Sequence, residues 1–122
     1  MIIAGLAVAG AVGAALRYLV DHLVQRRVRT GFPLGVLVVN VSGSLVLGVL
    51  VGSGLHHRIS SGWLTVVGTG LIGSYTTFST FAFDTVRLAE SDRRALSALN
   101  AVLSLTAGVA AAAAGLALGA MT

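Results

Sequence analysis

The 122-residue chain is 56% hydrophobic and only 10% charged, with a mean hydropathy of +0.94; soluble domains carry roughly 25% charged residues, so a soluble globular protein is excluded. Cysteine is absent, which excludes disulfides, thiolate metal sites and cysteine nucleophiles. Lysine is absent too, and the net charge of +4, all of its positive side chains Arg, is read as a membrane-topology signal rather than as nucleic-acid binding.

A spanning helix needs about 20 predominantly apolar residues. Four segments meet that length: residues 2–20, 33–55, 62–88 and 96–121. The connections are short, so neighbours are antiparallel. The expected fold is an all-α integral membrane protein, one transmembrane four-helix domain over residues 1–122. Such a bundle, filled mostly by Ala, Gly, Val and Leu, has little room for a cavity, which places a site between subunits rather than inside one.

The first span lacks a basic leading segment and carries Arg17 in its apolar run, so it is expected to be retained rather than cleaved. Arg17, followed by Tyr18, either snorkels to the interface or offers a positive vestibule to an anion. In the second span, Asn40 and Ser44 share a face one helical turn apart. Asn40 carries amide donors and a carbonyl acceptor, usable for an interhelical bond or for a ligand. Gly48 and Gly52 on this span, and Gly115 and Gly119 on the fourth, have GxxxG spacing and are expected to be packing surfaces.

The third span is the unusual one. Trp63 starts it as an interfacial anchor. Gly68, Gly70 and Gly73 weaken the helix ahead of Tyr75-Thr76-Thr77, and a break is expected between Gly73 and Thr77. A broken helix exposes orphan carbonyls and amides, which membrane proteins use to hold ions. Hydroxyl groups crowd the stretch Gly73-Ser-Tyr-Thr-Thr-Phe-Ser-Thr-Phe81, and bilayer hydrocarbon tolerates them only in a protein interior or along a polar path. Phe78 and Phe81 lie on one face; aromatic edges are partially positive and can solvate an anion weakly, or the rings can simply pack. Asp84 is the one carboxylate within these four runs, suited to an Arg pair, a proton relay or the interface. On the fourth span Asn100 and Ser104 are one turn apart.

Together, Arg17-Tyr18, Pro33-Leu-Gly35 with Val39-Asn40-x-x-Gly43-Ser44, and Gly73-x-x-Thr76-Thr77-Phe78-Ser79-Thr80-Phe81 resemble the Fluc (CrcB) family of fluoride channels over nearly the whole chain. The resemblance implies a bacterial inner-membrane protein, multi-pass, working as an antiparallel dimer of oppositely oriented subunits. Two fluoride pathways would then run along the subunit interface. By similarity, Phe78 and Phe81 line the pathways, Asn40 donates its amide to the ion, and Ser79 and Thr80 supply hydroxyls. Arg17 would sit at the entrance and Ser104 would continue the track. A structural sodium ion would be held at the dimer centre by the backbone carbonyls of Gly73 and Thr76. Ala82 and Asp84 stand where Ser and Glu are expected, and Asn100 stands in the place of a Tyr, so one of the two pathways is in question.

The function so implied is passive export of fluoride that enters cells as neutral hydrofluoric acid and dissociates in the cytoplasm. The membrane potential, about 2.3 kcal/mol per charge per 100 mV, drives the anion out. One alternative is a proton-coupled exporter of the small multidrug-resistance type, in which Asp84 would replace the carboxylate that the first span lacks. Another is a supporting subunit of a heterodimeric fluoride channel. An enzyme is disfavoured, because no nucleophile–base pair, metal-ligand cluster or phosphate loop is found. Loop charges bear on the partner: Arg26, Arg27, Arg29, Arg93 and Arg94, with Arg87 nearby, lie on one side, against Arg58 with His56 and His57 on the other. Such a bias fixes one orientation and favours a homologous partner of reversed bias over a homodimer.

Overall fold

The structure, a computed structural model, describes residues 1–55 and 59–121. Every regular element among them is helical. Helix α1 spans Ile2–Gln25 and α2 spans Leu34–Leu55. Helix α3 is one continuous helical stretch, residues 61–75, made of Ser61–Trp63, a π-helical portion Leu64–Ile72 and Gly73–Tyr75. Helix α4 spans Phe78–Glu90 and α5 spans Arg94–Met121. By length and composition α1, α2 and α5 can each cross a membrane. Between α3 and α4, Thr76 and Thr77 are extended.

The surface is apolar. Ile3, Val8, Val102, Leu105 and Val109 are each more than half exposed, whereas the buried apolar set is small: Val36, Leu37, Val39, Ile72 and Leu88. Water would penalise so much exposed hydrocarbon; lipid does not. Packing therefore rests on close backbone approach. A Cβ on Gly48 would run into Ala112 O, and one on Gly115 into Leu45 O, with Gly52 and Gly119 repeating the pattern one turn on. The two GxxxG pairs thus face each other, and α2 and α5 touch backbone to backbone.

Helix α1 meets α3 in the same manner, because Gly13 leaves the space that Leu71 O occupies. Gly68 and Gly70, expected to weaken the third span, instead sit within wide π turns, and Gly73 N–H bonds to Gly68 O and Gly70 O. Wide winding keeps backbone donors paired where lipid offers none, and it lets Gly70 accept Ala9 and Leu6 of α1 at close range.

The helical part of α1 also outlasts its apolar run. It continues to Gln25 rather than stopping near residue 20, which brings Asp21 onto the helix. The Gln25 carboxamide then closes the following loop: Nε2 donates to Phe32 O at 2.9 Å, and Gly35 N–H donates to Oε1 at 3.1 Å. Gly31, at φ +74°, provides the left-handed bend, and the Arg93 guanidinium lies against it. The α1–α2 loop and the α4–α5 turn therefore share one end of the molecule.

Candidate functional site

The site is built around two extended residues. Thr77 has both backbone groups taken by one side chain: Asn40 Nδ2 donates to Thr77 O at 2.8 Å, and Thr77 N–H donates to Asn40 Oδ1 at 2.8 Å. Because one partner accepts and the other donates, the carboxamide orientation is fixed. Thr77 N–H goes to Asn40 rather than to Gly73 O four residues back, so Gly73 O loses its helical partner. Thr76 stays tied to α3, with its N–H at 3.0 Å and its hydroxyl at 3.1 Å from Ile72 O.

Thr77 also caps α4. Its Oγ1 accepts from Thr80 N–H at 3.2 Å, donates to Thr80 Oγ1 at 3.1 Å and lies 3.3 Å from Ser79 Oγ. Three hydroxyls are thereby gathered at the first turn of a helix, where amides point outward and the dipole favours negative charge. Phe78 and Phe81 follow on that turn, with ring centroids 5.7 Å apart and planes tilted by 54°. Phe78 is 76% exposed, so its ring is free to meet something outside this chain. Gly43 is required here, because a Cβ would strike Thr76 Cγ2.

Two cavities flank the cap. One, of about 140 Å³, is bounded by Arg17, Asp21, Thr77 and Thr80; Arg17 Nε is buried there without a hydrogen-bond partner. The other, of about 200 Å³, shares Asp21, Val36 and Thr80 with the first and adds Asp84 and Arg87. On the far side of Thr77, an open groove of about 210 Å³ is lined by Asn40, Ser44, Thr76 and Phe78. Arg17, Asn40, Phe78, Ser79, Thr80 and Phe81 thus lie around one short stretch of backbone.

Ser104 is reached differently. Its hydroxyl donates to Asn100 Oδ1 at 3.4 Å, Asn100 Nδ2 donates to Thr85 Oγ1 at 2.9 Å, and Thr85 Oγ1 donates to Phe81 O at 2.7 Å. Asn100 is 1% exposed, so this string is internal to the chain. Sequence reading passed over Thr85, although it stands one turn beyond Phe81. It also passed over Ser97, whose hydroxyl donates to Thr85 O at 2.7 Å, and over the Ser42–Tyr75 hydroxyl pair at 2.9 Å.

Apolar helices packed through glycines, with hydroxyls, rings and an Arg gathered at an interhelical cap, define a multi-pass membrane protein with a polar cluster between its helices. The family described as CrcB-like protein, Camphor Resistance (CrcB), matches residues 4–116, and the chain belongs to that family. Fluoride-specific ion channel FluC 1 of Streptomyces avermitilis is 46% identical over 111 residues, covering 90% of this chain and 90% of that protein. Fluoride-specific ion channel FluC 1 of Leifsonia xyli is 38% identical over 119 residues, covering 98% and 87% respectively. Fluoride-specific ion channel FluC 2 of Mycobacterium tuberculosis is 45% identical over 109 residues, covering 88% and 82%.

Proposed function

We propose that this protein is a fluoride-specific channel that exports cytoplasmic fluoride by passive electrodiffusion across the bacterial inner membrane. The observation that carries it is the cap at Thr77, which presents hydroxyls and a ring pair beside a cavity bounded by Arg17. Fluoride is small and strongly hydrated, so a path for it must replace water by several modest donors. Thr80 and Ser79 hydroxyls, the second N–H of Asn40 and the ring edges of Phe78 and Phe81 supply them, with Arg17 at the mouth and Ser104 further along. Helices α3 and α4 act together as a third, interrupted span, which makes residues 1–122 one four-span domain.

The working unit is an antiparallel dimer, in which the partner covers the exposed ring of Phe78. The carbonyls of Gly73 and Thr76 would hold a structural sodium ion at its centre. Gly73 O, left without its helical donor, suits a hard cation. When bound, the ion supplies a fixed positive charge that ties the subunits together.

A proton-coupled exporter would lose its flux without a proton gradient and after Asp84→Asn. Fluoride efflux from liposomes is expected to persist under both conditions; its collapse under either would favour the coupled exporter.

The partner is proposed to be a homologous subunit of reversed charge bias. Arg26, Arg27, Arg29, Arg93 and Arg94 belong to the end where Gly31 meets Arg93, while Arg58, His56 and His57 lie outside the described residues. Retention of these positive loops in the cytoplasm puts both termini outside in a single orientation. Cysteine labelling of loop positions in cells is expected to find one orientation. A near-even split in cells expressing this chain alone, with efflux intact, would restore the homodimer.

A further inference from the structure

The two cavities beside the cap meet at Asp21, and its place there is unusual for an anion path. Asp21 lies one helical turn beyond Arg17 on α1, so the two side chains share a face. It borders both the Arg17 cavity and the cavity of Asp84 and Arg87, as Thr80 does. Among the described residues none of these four charges is closed into a salt bridge. The carboxylate also stands at the first turn of α2, where a Cβ on Gly35 would collide with Asp21 Oδ1. Its hydrogen-bond capacity there is not used by the Gly35 N–H, which goes to Gln25.

Resting on the fluoride reading, we propose that Asp21 is an electrostatic brake at the cytoplasmic mouth. It sets the rate at which the anion reaches Thr80 by opposing the attraction of Arg17 and Arg87. A negative charge bordering both cavities raises the energy of fluoride in each, against the attraction of the two guanidiniums that line them. One charge acting over several ångströms in a partly aqueous cleft changes a rate by about two- to fivefold. It is screened by salt, since the Debye length falls from about 30 Å at 0.01 M to about 3 Å at 1 M. A purely structural carboxylate, placed at the start of α2 to complement the helix dipole, makes the opposite prediction: its loss lowers stability and flux.

The test is fluoride efflux from liposomes containing the full chain, with its partner subunit where needed, at low fluoride, where access to the mouth limits the rate. Asp21→Asn, which keeps shape and removes charge, is expected to conduct about two- to fivefold faster than the parent at low salt. The difference should shrink toward none near 1 M salt, and Asp21→Glu should stay slow. An Asp21→Asn rate equal to or below the parent's, or a gain insensitive to salt, would overturn the brake while leaving the channel standing. A parent that conducts no fluoride under any pairing would remove the channel reading, and the brake with it.

Discussion

Replacing Phe81 by Ile is expected to lower fluoride efflux by at least about tenfold, the rate equivalent of about 1.4 kcal/mol. Ile keeps an apolar body of similar reach but has no quadrupole, so it has no positive edge to turn toward an anion. Phe81 is paired with Phe78 at 5.7 Å with a tilt of 54°, an arrangement in which a ring edge can face a third group. Phe81 O also accepts the Thr85 hydroxyl that leads to Asn100 and Ser104, so the ring stands where the cap and the internal polar string meet. The substitution leaves that carbonyl in place, which confines the change to the ring. Size-exclusion elution and thermal stability in detergent should match the parent, while efflux from liposomes falls. Undiminished efflux would assign both rings to packing.

Asn40→Asp is expected to abolish efflux, for two reasons that act at one atom pair. The carboxylate still accepts Thr77 N–H, but in place of Nδ2 it sets an oxygen 2.8 Å from Thr77 O. Two acceptors then face each other, and the part-buried Thr77 carbonyl loses its donor, a loss that reaches about 1–3 kcal/mol where water is excluded. The same change puts negative charge beside the hydroxyls of Ser79 and Thr80, where it repels fluoride. Asn40→Ala separates the two effects: it releases Thr77 without adding charge, and should weaken both thermal stability and efflux while leaving some flux. Parent-level efflux in Asn40→Asp at neutral pH would place Asn40 outside the path and leave it only an interhelical bond.

Much of this was legible in the order of residues. The apolar runs predicted α1, α2 and α5, because lipid demands about 20 apolar residues wherever a helix crosses it. Glycine pairs at four-residue spacing announced packing surfaces on α2 and α5, since backbone contact leaves no room for a Cβ; that the two surfaces meet each other came from the structure. The crowding of Thr76, Thr77, Ser79 and Thr80 pointed to the candidate site, because hydroxyls in hydrocarbon need a reason. What escaped depended on geometry that spacing does not encode. The π winding of Leu64–Ile72 accompanies the seating of Leu71 O against Gly13 of another helix, a contact that spacing along one span does not show. Asn40 was legible as a donor. Its grip on both backbone groups of Thr77 was not, because the two residues are 37 positions apart. Asp21 was passed over: it falls just past the apolar run, yet helix propagation carries it to the cavity that Thr80 also lines.

The central claim is that this chain forms a passive path for fluoride, and potential-driven release tests it most directly. Liposomes loaded with potassium fluoride and containing the purified protein, alone or with its partner subunit, are followed with a fluoride electrode. Rapid release on adding valinomycin, with little before it and none through chloride in place of fluoride, is the expected result. Release no faster than from protein-free liposomes in every pairing would contradict it.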